Sequence, residues 1–214
     1  MTEIFQAVLL ALLAGITIPL GGLLARFEHI RPDWLETEFR HSVIAFGGGA
    51  LVAAVALILI PHGMDYYGPA SAGGLFLSGG ILMMFLDRAL QQNNTPASNL
   101  IAMLSDYLPE ALALGAVISG DIKSAILLAV LIALQNLPEG FNAYREMTAS
   151  RKLSSRFILM IFTGAALLGP VAALCGFFFL AENGLVLGAV TLFAAGAILY
   201  LVFQDVAPQE KLDQ

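Results

Sequence analysis

The sequence predicts an all-α fold, a polytopic membrane bundle of about seven transmembrane helices. Of the 214 residues, 58% are hydrophobic and 12% are charged, about half the charged fraction usual in a soluble domain. The mean hydropathy is correspondingly high, at +0.83. The apolar residues also form runs of about 20, the length that a helix needs to cross a bilayer. We therefore expect a single transmembrane domain over residues 1–214.

Polar punctuation separates the expected spans in order along the chain. The first run lacks a basic leader and a small-residue cleavage site, so it predicts a retained helix rather than a signal peptide. The second and third runs are separated at "HGMDYYG", the fourth and fifth at "ISGDIK", and the last two at "EN". Glycine, aspartate and asparagine are typical of such connections. The predicted spans cover residues 4–25, 43–62, 71–90, 99–119, 124–144, 156–181 and 184–204.

The basic residues predict how the bundle is oriented. Alternating the loops places nine of the ten lysines and arginines on one side, and only Lys123 on the other. By the positive-inside rule, the N-terminus is expected outside and the C-terminus in the cytoplasm, in a plasma membrane or bacterial inner membrane. The net charge of −6 is spread over loops and ends, so no nucleic-acid partner is expected. The nine residues are Arg26, Arg31, Arg40, Arg88, Arg145, Arg151, Lys152, Arg156 and Lys211.

Two Leu-Pro-Glu motifs place carboxylates inside apolar segments, "SDYLPEALALG" at 105–115 and "LQNLPEGFNAY" at 134–144. A charge at the centre of a membrane helix costs about 2.5–3.5 kcal/mol, so these acids need compensation. Residues four apart share a helix face, which pairs Asp106 with Glu110 and Gln135 with Glu139. Oxygen ligands suit hard divalent cations. The candidate metal ligands are Asp106, Glu110, Gln135, Asn136 and Glu139.

The prolines of these motifs are expected to open the two helices locally. Pro109 and Pro138 provide no N–H for the carbonyls of Ser105 and Leu134, four residues earlier. A kink or local unwinding there would free a carbonyl oxygen near the cation. The plainer alternative is that these polar groups only hydrogen-bond across helices.

An internal repeat relates two further helices. "FGGGALVAAVALILIP" at 46–61 aligns without gaps on "FAAGAILYLVFQDVAP" at 193–208, an offset of 147 residues. In the predicted topology these helices run in opposite directions. Inverted repeats with paired proline-interrupted helices are typical of transporters whose site lies near the membrane midplane.

Together with "LFLSGGILMMFLDRAL" at 75–90, these segments resemble the ZIP family of divalent metal transporters, over nearly the whole chain. The resemblance implies import of zinc, iron or manganese through a site between the fourth and fifth helices, with Glu110 and Glu139 as bridging ligands. Asp106 and Gln135 stand where the family commonly has histidine. Tyr107 stands where asparagine is common, and Asn136 where asparagine or aspartate is found.

The sequence also departs from the family pattern. Gly169 precedes Pro170 where many members have glutamate, and no eighth apolar run follows the seventh. A site for one ion fits these losses, and so does a structural or regulatory homologue that no longer transports. An intramembrane enzyme using Asp106 and Asp121 is a further alternative, although Asp121 is expected at the outer connection.

Whether the chain forms a homodimer is left open by the sequence. Polar residues near the inner helix ends, explained equally well by solvation or by ion passage, are Glu146, Gln204 and Asp205.

Overall fold

The computed structural model describes residues 2–27, 33–93, 96–149 and 153–206, and within them the secondary structure is helical, without strands. The helix bounds are close to the predicted spans, although α3 begins ten residues before its span does. The elements are α1 (Thr2–Gly15), α2 (Thr17–Phe27), α3 (Asp33–Ala54), the π-helix π1 (Val55–Leu59), α4 (Ile60–Met64), α5 (Pro69–Asn93), α6 (Pro96–Val117), α7 (Ile122–Ala149), α8 (Ser155–Phe179), α9 (Gly184–Leu201) and the π-helix π2 (Val202–Val206).

Within the described residues, six helical segments are long and apolar enough to cross a membrane, which makes the chain a multi-pass membrane protein. Large apolar side chains such as Phe179 and Phe203 lie on the outer surface, 76% and 67% exposed. Helix α6 holds the predicted fourth span but is not among the six, so a count of seven spans stays a prediction. The six are Thr2–Phe27, His41–Met64, Pro69–Leu90, Ile122–Ala149, Ser155–Phe179 and Gly184–Gln204.

The first span is divided at Ile16, where the sequence predicted one continuous helix. Pro19 lacks the N–H that the carbonyl of Gly15 would receive in an unbroken helix. At the same break, the hydroxyl of Thr17 donates to the carbonyl oxygen of Ala14, at 2.6 Å. Pro19 was therefore the sequence signal for this break.

By contrast, α6 and α7 stay helical through Pro109 and Pro138, so local unwinding was wrong there, and the kink that was expected as its alternative stays a prediction. The packing around Pro138 gives one reason. A Cβ atom on Gly47 of α3 would lie 2.9 Å from Cγ of Pro138, so the absence of a side chain there makes room for the ring. The neighbouring helix thereby accommodates the proline without disrupting α7.

Both π-helices lie at matching positions of the two repeated segments. Val55–Leu59 and Val202–Val206 differ by the same 147 residues as the aligned sequences. Pro61 follows π1 closely, and a wider turn relieves the clash between a proline ring and the carbonyl four residues earlier. The two distortions therefore lie at equivalent positions of the aligned segments, and the inverted repeat itself stays a prediction.

Close contacts between helices establish their directions. Asn136 and Gly140 of α7 meet Ala14 and Ile18 of the first span in the same order, so these segments run parallel. Gly63 of α4 contacts Leu192 of α9, whereas Tyr66, which follows α4, lies beside Gly184 at the start of α9. The contacts therefore run in reverse order along the two segments, so α4 and α9 are antiparallel. We call the surface at the start of α1 the Thr2 face and the opposite surface the Phe27 face. The most extensive packing joins α2 to α7, α5 to α9 and α6 to α8.

Candidate metal site between α6 and α7

A direct side-chain contact joins the two Leu-Pro-Glu helices. Glu110 of α6 and Gln135 of α7 are both fully buried, and Nε2 of Gln135 donates a hydrogen bond to Oε2 of Glu110. That bond fixes the amide orientation, so Oε1 of Gln135 points away from the accepting oxygen of Glu110. Neither this oxygen nor Oε1 of Glu110 has a partner among the described residues.

Glu139 brings a second carboxylate to the same region. It lies one turn after Gln135, and its carboxyl group is close enough to that of Glu110 for their charges to interact. The side chain is partly buried, while Oε2 is enclosed and lacks a hydrogen-bond partner within the described part of the chain. Two acids therefore approach each other, and no lysine or arginine is among the described buried residues.

Asn136 connects this region to the break in the first span. Its Nδ2 donates to the carbonyl oxygen of Ala14 at 3.2 Å, and the residue is fully buried. Because the NH₂ group is held there, Oδ1 faces elsewhere, and it too lacks a partner in the described residues. The contact with α1 was not predicted from the sequence, although Pro19 marked the break beside it.

Four buried oxygens without a protein donor thus belong to the predicted ligand set. They come from two carboxylates and two amides, and an unpaired buried oxygen of this kind costs about 1–3 kcal/mol. The side chain of Asp106 lies outside what the structure describes, although its position is one helical turn before Glu110. Among the described residues, at this site or elsewhere, no group of three or more histidine, cysteine, aspartate or glutamate side chains could hold a metal ion, so the candidate site depends on its amide oxygens as well. The four atoms are Glu110 Oε1, Gln135 Oε1, Asn136 Oδ1 and Glu139 Oε2.

Tyr107 fills the space beside Glu110 on the side of α1 and α8. Its hydroxyl lies 3.1 Å from the carbonyl oxygen of Ala11 and 3.2 Å from that of Ala166, and the residue is fully buried. In a regular helix the carbonyl of Ala166 would receive the N–H of residue 170, which is a proline. Tyr107 therefore replaces the donor that Pro170 cannot supply.

Tyr107 leaves no room for a side chain at two neighbouring positions, Gly15 and Gly169. A Cβ atom at Gly15 or Gly169 would lie 2.1 or 1.7 Å from the tyrosine oxygen. In the sequence, Gly169 lacked the expected acidic residue and also belonged to a set of small residues that predicted a close approach of this helix to a neighbour. The structure gives the absence of a side chain at Gly169 a packing reason, and only the structure identifies Tyr107 as the neighbour.

Two polar residues near helix ends, His62 and Asp121, have local roles. His62 Nδ1 is hydrogen-bonded to the carbonyl of Ile58 at 3.0 Å. Asp121 is exposed and accepts hydrogen bonds from the Ser124 hydroxyl at 2.6 Å and the Lys123 N–H at 3.0 Å, and the Ser124 bonds lower the pKa of its carboxyl. It lies beyond the end of α6, at least about 16 Å along the helix from Asp106, which is too far for a shared proton.

Carboxylate and amide oxygens enclosed without donors can coordinate a divalent cation, and hard cations prefer ligands of this type. The described part of the site offers no thiolate or imidazole, which softer metals favour. No model of a known protein family matches this chain, and no curated protein matches it. The resemblance to the ZIP family therefore depends on the sequence segments quoted above.

Proposed function

We propose that the protein moves divalent metal ions across the membrane through the site between α6 and α7. The observation that supports this most strongly is the set of four buried oxygens without donors. Buried polar groups in proteins are almost always hydrogen-bonded, and buried acids are almost always compensated. A bound cation would satisfy both requirements at once.

The proposed direction of movement is inward. Arg26, Arg88, Arg145 and Arg156 lie at the helix ends of the Phe27 face, whereas Lys123 lies at the Thr2 face. The positive-inside rule then makes the Phe27 face cytoplasmic. Alternating access between the two faces is the transport mode expected for a bundle built of inverted repeats.

We further propose that the site holds one ion. Tyr107 occupies the space beside Glu110 and leaves Gly169 no room for a side chain. On this side of Glu110 the described neighbours present backbone carbonyls already paired with the tyrosine, rather than further ligands. The donor set is therefore confined to α6 and α7.

The test is metal uptake into liposomes that contain the purified protein, combined with equilibrium binding of the same ion in detergent. Uptake with saturable binding is the expected result. Saturable binding without uptake would identify a metal-binding homologue that does not transport, and absence of binding would contradict the site itself.

The oxygen donor set predicts a preference for manganese or ferrous iron over zinc. Imidazole and thiolate ligands favour zinc. Gln135 provides an amide oxygen at a position where the ZIP family commonly has the imidazole of a histidine. In competition assays, unlabelled manganese should reduce uptake of a radioactive tracer at lower concentrations than zinc does. Inhibition by zinc alone would contradict this prediction.

Metal binding should weaken as the solution is acidified. Carboxylates bind metal in their deprotonated form, so protons compete with the cation for the same oxygens. Affinity measured between about pH 5 and pH 8 should fall towards the acidic end. Asp106→Asn supplies a comparison, because a shallower pH dependence in this variant would include Asp106 in the coupled set. A flat profile for the unaltered protein would count against carboxylate ligands.

A further inference from the structure

A line of polar side chains leaves the central site along one face of α7. Gln135, Glu139, Asn142 and Glu146 are spaced by four, three and four residues, the spacing that keeps side chains on one face of a helix. At a rise of 1.5 Å per residue, Glu146 lies about 10 Å beyond Glu139 towards the Phe27 face. The line therefore extends from the buried oxygens to the end of the helix.

Helix α3 packs beside this part of α7 and carries a polar residue, His41. Gly47 of α3 packs against Pro138, and the two helices run in opposite directions. His41 lies six residues before Gly47 on α3. Because the two helices are antiparallel, His41 is level with the turn of α7 about six residues after Pro138. That turn lies between Asn142 and Glu146. The atoms His41 Nδ1 and Asn142 Oδ1 are both enclosed, and neither has a hydrogen-bond partner among the residues described.

The nearest positive charge on α7 is held to one side of this line. The guanidinium of Arg145 lies over the ring of Phe141, with its central carbon 5.7 Å from the ring centroid. Positions 141 and 145 come one residue before positions 142 and 146, and successive residues of a helix point in different directions. Arg145 therefore lies on a neighbouring stripe of the helix surface. The contact with Phe141 therefore places the guanidinium on the stripe beside the polar line.

We propose that His41, Asn142 and Glu146 form a second, weaker cation position, through which the ion passes from the central site to the Phe27 face. This inference rests on the proposed transport function and extends it to an exit route. One imidazole, one amide and one carboxylate are suitable ligands for a divalent transition metal. Passage requires that such a position bind weakly enough to release the ion, and its small number of charged ligands meets that requirement.

The test compares transport rate with equilibrium binding, using manganese as the probe and the full-length protein. His41→Ala and Asn142→Ala should each lower the uptake rate into liposomes about tenfold, the size expected for loss of one polar ligand. Equilibrium affinity measured in detergent should change less than about twofold, since the central ligands are untouched. Asn142→Asp, which keeps an oxygen in place, should retain uptake.

Thr148→Ala provides a matched control. Thr148 lies on the same helix and also has an enclosed oxygen without a partner among the described residues, but its position is turned away from the polar line. Manganese uptake by the Thr148→Ala variant should equal that of the unaltered protein. Asn142→Leu, which preserves side-chain volume, repeats the test if the alanine variant does not fold.

Two outcomes would overturn the exit route while leaving the transport function standing. Unchanged uptake in both His41→Ala and Asn142→Leu would remove these side chains from the path. A loss of equilibrium affinity that matches the loss of rate would assign them to the central site instead. If the unaltered protein neither bound nor transported manganese, the transport function itself would fail, and the exit route with it.

Discussion

Replacing Glu110 or Glu139 with glutamine should reduce metal uptake by at least about tenfold, because a charged ligand contributes about 1.5–3 kcal/mol and the amide cannot replace its charge. Glutamine preserves the size of the side chain, so the protein should remain folded. Gln135 can still donate to the oxygen of a glutamine at position 110, which keeps the helix contact intact. Uptake of manganese into liposomes and equilibrium binding in detergent measure the two effects separately.

Glu3→Gln serves as the control for a general loss of negative charge. Glu3 is exposed in the first turn of α1, away from the buried oxygens, and its replacement should leave uptake unchanged. The double variant of Glu110 and Glu139 should lose little more than either single variant, since both carboxylates act on one ion. Uptake at the original level in either single variant would exclude that carboxylate from the site.

Gly169→Ala should destabilise the protein by about 1–3 kcal/mol, the usual cost of forcing an extra carbon into a packed interior. The new Cβ atom would lie 1.7 Å from the hydroxyl oxygen of Tyr107 and 2.4 Å from Cζ. The tyrosine or the backbone of α8 must shift, and the hydrogen bonds to Ala11 and Ala166 would be disturbed. The change is measured by thermal unfolding in detergent, with the loss of monodisperse protein as the readout.

Gly164→Ala is the matched control on the same helix. A Cβ atom there meets nothing within 4 Å among the described residues, and alanine has a helix propensity about 1 kcal/mol more favourable than glycine. This variant should be as stable as the original protein or slightly more stable. A double-mutant cycle with Tyr107→Ala identifies the cause, because removing the ring should relieve most of the cost of Gly169→Ala. Equal stability of the two alanine variants would contradict the proposed packing.

The prolines show how far local sequence could predict the structure of the site. Pro109 and Pro138 were expected to kink or locally unwind their helices, yet α6 and α7 stay helical through them, whereas the first span is broken at Ile16, before Pro19. The loss of one backbone donor is the same in all three cases. Its consequence depends on the neighbouring helix, since Gly47 leaves space for the ring of Pro138, and sequence spacing carries no information about that neighbour.

By itself, the sequence determined that the chain is a multi-pass helical membrane protein and that Gln135 and Glu139 share a helix face. These properties depend on hydropathy and helical periodicity, which are local. Only the tertiary structure decided that Gln135 contacts Glu110, that Asn136 is held by the carbonyl of Ala14, and that Tyr107 fills the space above Gly169. These contacts join residues 25 to 122 positions apart, so they arise from how the helices pack and not from any segment of the chain alone.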